Sequence, residues 1–165
     1  MGQAARALGV RKHDYHAVGL NPLIRNAAHA LAIDERRKPF QPTLFERGNW
    51  TGALDQAWFA GVHTDIGGGY EEDSLANHTL HWMAELAGQR GLALDAEYLE
   101  PFGSNAQAAM HDSMSAMYRV AGPYERPIGA QPDTEETVHP SALDRLNAKV
   151  NNYQPPNLTR YVARR

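Results

Sequence analysis

The run AWFAGVHTDIGGGY, residues 57–70, sets His63 two residues before Asp65 and follows both with Gly67, Gly68 and Gly69. Imidazole is the side chain whose ordinary pKa lies nearest neutrality. A histidine delivered by an apolar stretch into a glycine-rich loop is therefore a candidate general base, with a loop histidine that merely hydrogen-bonds as the plain alternative. Asp65 could orient an imidazole or bind a cation, and an aspartate in a glycine loop is also ordinary turn chemistry. The glycines permit positive φ or close backbone approach, and their amides could cradle an anion. The dinucleotide pattern G-x-G-x-x-G fails, because Glu72 stands where its third glycine belongs.

Other histidines compete for attention. His78 and His81 are three residues apart, a helical spacing that could ligate a metal together with His63 or Asp65. Solvated surface histidines are the commoner cause of that spacing, so no metal and no cofactor is assigned. His139 stands before Pro140 and reads as a capping or loop residue. Asp34 and Glu35 before Arg36 and Arg37 read as a charge cluster with a structural ion pair.

A histidine needs a nucleophile to make a hydrolase of the serine type. Ser74, Ser104, Ser113, Ser115 and Ser141 all lack the flanking glycines of a G-x-S-x-G elbow, and the chain has no cysteine. The sequence thus carries a base without its nucleophile.

The elements that must position His63 follow from pattern. Residues 56–62, QAWFAGV, predict a short buried strand that ends at the histidine. SLANHTLHWMAELAGQRG, from residue 74, predicts a helix with Leu75, Thr79, Trp82, Met83 and Leu86 on one stripe and Gly91 at its stop. Strand, glycine loop and helix make a βα unit, hence an α/β protein. Residues 22–33, PLIRNAAHALAI, predict a second helix capped by Asn21. NAQAAMHDSMSAMYRV predicts a third, and Thr137–Leu146 a short proline-initiated one. One strand, or two, is too few for an α/β sheet, so part of the sheet is expected from elsewhere.

The 165 residues suit a single domain, residues 1–165. A net charge of -3, from 16 Lys+Arg against 19 Asp+Glu, lacks the basic stripe that a nucleic-acid partner needs. Without cysteine there is no disulfide or zinc–thiolate site. No signal peptide and no apolar run of about 20 residues is present, so the reading is a soluble intracellular chain.

The runs HALAIDERRKPFQPTLF, QAWFAGVHTDIGGGY, LANHTLHWMAELA, DSMSAMYRVAGPYERPIG and VHPSALDRL occur in that order. Together they resemble the C-terminal half of the DUF2235 family, α/β-hydrolase-like proteins that include type VI secretion phospholipase effectors of the Tle1 type. The resemblance covers roughly residues 20–160. It implies a partial α/β-hydrolase-like fold, the C-terminal part, with few strands and several helices. It also implies a Ser-Asp-His lipase mechanism in which the histidine of the family's GVH motif falls on His63, with Asp65, Gly67, Gly68 and Gly69 as the supporting loop. The family's serine, in a G-F-S-R-G-like elbow, and its aspartate, in a D-T-V-like motif, have no counterpart here. LANHTL departs from a Leu-Ser-Asp run found in relatives, with Asn77 retaining a side-chain acceptor.

The implied partner is a phospholipid or ester substrate, met together with an N-terminal half that carries the nucleophile. A secretion-apparatus or immunity protein is a further implied partner. The implied location is the cytoplasm of the producing cell, with a signal-peptide-independent route out. Two other readings stand beside this one: a non-catalytic module binding a partner or lipid head group, and a metal-assisted hydrolase built on His63, Asp65, His78 and His81.

Overall fold

A computed structural model describes residues 19–165. Its centre is a three-stranded parallel sheet in the order β1 (Asn26–Ala32), β2 (Ala53–Phe59), β3 (Glu136–Val138). Among the described residues five α-helices accompany it: α1 (His63–Gly67), α2 (Ser74–Gln89), α3 (Ala116–Val120), α4 (Pro140–Asn147) and α5 (Pro156–Ala163). The chain is an α/β protein.

The strand β2 lies in the middle, and side-chain alternation sends its residues to two apolar layers. Trp58, fully buried, joins Leu31, Ile33, Leu44, Ile128, Ala142, Tyr153 and Leu158 on one face. Ala57 and Phe59 join Ala32 and Ile66 on the other, with Trp82 of α2 edge-on to Phe59 at 5.5 Å. Helices thus cover both faces, the usual condition for parallel strands.

The largest departure from the pattern reading is β1, where a helix was expected over residues 22–33. Alanines at helical spacing carry that expectation. However, Asn26 to Ala32 pair in parallel register with Ala53 to Phe59, and tertiary pairing outweighs alanine's local preference. Asn21 caps no helix; its Oδ1 accepts the Leu23 amide at 2.9 Å in a turn. The predicted strand at 56–62 is β2, displaced three residues toward the N-terminus. The helix predicted at 137–146 divides into β3 and α4, and only Ala116–Val120 of NAQAAMHDSMSAMYRV is helical. The α2 helix matches its prediction and stops before Gly91, whose φ is +92°.

Among the described residues, no strand pairs with the outer edge of β1. Arg25 C=O and Ile33 N–H bond toward β2, so by strand parity the backbone groups of Ala28 and Ala30 point the other way. These groups have no hydrogen-bond partner among the described residues. Two long-range ties close the fold. The Tyr153 hydroxyl donates to Asp34 Oδ2 at 2.9 Å, and Asn157 Nδ2 donates to the Ile33 carbonyl at 3.1 Å.

Candidate functional site

The C-terminal ends of β1 and β2 meet at residues 33–37 and 60–69, the end of a parallel sheet where α/β proteins gather ligands and catalytic groups. His63 is the first residue of α1, so a helical turn, not a glycine loop, follows β2. The imidazole is exposed, stands edge-on to Phe40 at 5.6 Å and has no hydrogen-bond partner among the described residues. It lines a groove of about 430 Å3 beside the outer edge of β1, with Ala28, Ala30, Phe40, Ile66 and Arg126.

The backbone that presents this ring is held far more tightly than the ring itself. Three consecutive amides donate to three different carboxylates: Gly61 to Asp34 Oδ2 at 2.7 Å, Val62 to Asp65 Oδ2 at 2.9 Å, and His63 to Glu35 Oε2 at 3.4 Å. Each carboxylate is tethered in turn. Tyr153 holds Asp34, and His111 Nδ1 lies 2.7 Å from Asp65 Oδ1. Glu35, fully buried, accepts from the Arg37 amide at 3.0 Å, its guanidinium at 2.9 and 2.7 Å, and the Ser113 hydroxyl at 3.0 Å.

These environments separate the acids electrically. Burial pushes the Asp34 carboxyl up to about 6, with the Gly61 and Tyr153 hydrogen bonds opposing. For Glu35, burial also acts upward, but Arg37 and Ser113 outweigh it and hold the group down at about 2. Burial and the neighbouring Asp34 push the Tyr153 hydroxyl far up, so it remains a donor.

Asp65 orients an imidazole, but the imidazole is that of His111 and not of His63. As the third helical residue it also reaches back to the Val62 amide, the acidic half of a capping box. Of the three glycines, Gly68 and Gly69 have φ of +80° and +117°. A Cβ on Gly67 would meet nothing. At Gly61, with φ at +127°, a Cβ would sit 2.6 Å from the Asp65 Cβ, so this turn requires glycine.

The remaining histidines do not join this cluster. The rings of His78 and His139 lie 6.2 Å apart, and His81 Nε2 lies 2.6 Å from the Phe102 carbonyl. His139 caps α4, its Nδ1 accepting from the Ser141 hydroxyl at 2.8 Å and its amide at 3.3 Å. Its ring stacks on Phe59 at 4.4 Å, and burial followed by His78 pushes its pKa down to about 4. Among the described residues, no three or more His, Cys, Asp or Glu stand close enough to hold a metal ion.

Sequence reasoning missed Gly61, His111, Ser113 and Tyr153. The glycine alone had a local signal, placed between the apolar strand and His63. The other three reach the site from 46 to 119 residues away, and nothing in their own surroundings marks them.

No helix of the described residues is long and apolar enough to cross a membrane. No curated protein and no solved structure matches the chain. Residues 1–86, more than half of the 165, match a family model described as the type VI secretion phospholipase effector Tle1-like catalytic domain, and the chain belongs to that family.

Proposed function

We propose that this chain is the histidine-bearing portion of a phospholipase-like serine hydrolase with an α/β-hydrolase-like fold, and that His63 is its general base. The carrying observation is the contrast at the β2–α1 junction: three amides fixed on three carboxylates, and an imidazole left open to a groove. In this reading the free ring nitrogen takes a proton from a serine hydroxyl as its oxygen attacks the ester carbonyl. The protonated ring then delivers that proton to the departing alcohol, and a water repeats the cycle on the acyl-enzyme.

The serine comes from outside the 165 residues, because no G-x-S-x-G elbow occurs among them. The outer edge of β1 supports a place for it. A strand added there would border the groove that His63 lines and meet the backbone of Ala28 and Ala30, which has no partner among the described residues. Asp65 and Glu35 are already engaged by amides and tethers, so the acid partner of His63 belongs to the same missing segment.

The test is ester hydrolysis by the purified chain, alone and mixed with an upstream segment carrying the elbow. Activity confined to the mixture and abolished by His63→Ala supports the reading; activity of the chain alone, or in the His63→Ala mixture, sinks it. A non-catalytic module binding a partner along the same β1 edge is the second reading. It expects association with the upstream segment, no hydrolysis, and indifference to His63→Ala.

A further inference from the structure

The segment His111–Ser113 lies in the stretch expected to be helical, yet it belongs to no helix or strand and reaches Asp65 and Glu35 beside His63. We infer that His111 and Ser113 are positioning residues for His63, holding from one loop the two carboxylates on which the Val62 and His63 amides rest. The inference rests on the reading of His63 as the working base.

The geometry is direct. Asp65 is 3% exposed, and its carboxylate collects the Val62 amide, the His111 amide at 3.3 Å and His111 Nδ1 at 2.7 Å. Two of those three donors belong to His111. Its ring is fixed in turn by stacking on Tyr70, with centroids 3.6 Å apart and planes 19° from parallel. Two residues on, the Ser113 hydroxyl bonds the same Glu35 oxygen that takes the Arg37 amide, while the other Glu35 oxygen takes the His63 amide.

A buried carboxylate stripped of a donor seeks water or a proton. Either response loosens the amide it was holding. Removing the His111 side chain therefore frees Val62 through Asp65, and removing the Ser113 hydroxyl frees His63 through Glu35. Neither residue bonds the His63 ring, so neither is catalytic.

Amide hydrogen exchange and histidine ring spectra of the purified chain test this. His111→Phe keeps a ring to stack on Tyr70 but has no Nδ1. It is expected to speed exchange of the Val62 amide by about tenfold, leave Leu31 and Trp58 in the sheet unchanged, and shift or broaden the His63 ring signal while sparing that of His29. His111→Asn, which retains a donor near the same position, is expected to restore both to within about threefold. Ser113→Ala is expected to speed the His63 amide and not that of Val62.

Unchanged Val62 protection in His111→Phe would overturn the inference. So would equal acceleration in the sheet, which reports general loosening, or failure of His111→Asn to rescue. The readouts need no turnover, so failure of the hydrolase reading leaves them standing.

Discussion

Two histidines follow strands of the same sheet and open the helices that come next, yet they live in opposite surroundings. His63, after β2, begins α1 with its backbone anchored and its ring exposed; His139, after β3, caps α4 with its ring stacked on Phe59 and its Nδ1 satisfied. At the first junction Asp34 and Glu35 from beyond β1, with Asp65 of α1 itself, hold the amides, so the His63 side chain is spared. At the second, the side chain is itself the cap. Topological position makes a histidine available, and what else holds the backbone decides whether the ring is free to work.

Breaking the first junction has the largest expected effect. Gly61→Ala forces a Cβ against Asp65 at a φ unsuited to alanine, and is expected to cost about 3 kcal/mol or more in urea unfolding. If the cost is within a few tenths of a kcal/mol, the junction is not rigid and the contrast fails.

The second effect is that of pH on unfolding. An imidazole held at about 4 when folded and about 6.5 when free leaves the unfolded chain with more bound protons between those values. Stability from His139 is therefore full above about 6.5 and declines as pH falls toward 4, by on the order of 1–2 kcal/mol for a half-buried ring. Asp34 acts in the opposite sense: with its carboxyl at about 6, the folded chain holds the extra proton between 6 and about 4, so acidification there favours folding. Asp34→Asn, which keeps an acceptor for Gly61 and Tyr153, should steepen the acid decline. A shallower decline would contradict this assignment.

Smaller again is His139→Ala at neutral pH, expected to cost about 1 kcal/mol through loss of the cap. The smallest is His63→Ala, expected within about 0.5 kcal/mol of the parent in the same unfolding measurement, since the ring touches little. A His63 variant as costly as the His139 variant would mean that both histidines are structural.

The βα core of this fold was legible because β2 ends in the apolar residues Ala57, Trp58 and Phe59 and α2 carries a clear helical stripe. The strand β1 was not, because Ala27, Ala28, Ala30 and Ala32 say helix locally and become a strand only when β2 lies alongside. His63 and Asp65 could be found by spacing. Asp65's partner could not, since His111 sits among alanines and methionines 46 residues away.

The Tyr153–Asp34 and Asn157–Ile33 ties span 119 and 124 residues, and this has a temporal meaning. As the chain leaves the ribosome, β1, β2 and the His63 turn emerge well before Tyr153, and Asp34 waits for that partner 119 residues downstream. Until then the site is half-assembled, with a buried-to-be carboxyl still facing water. Contacts of such separation form slowly, so the arrangement around His63 sets only after Tyr153 and Asn157 have docked.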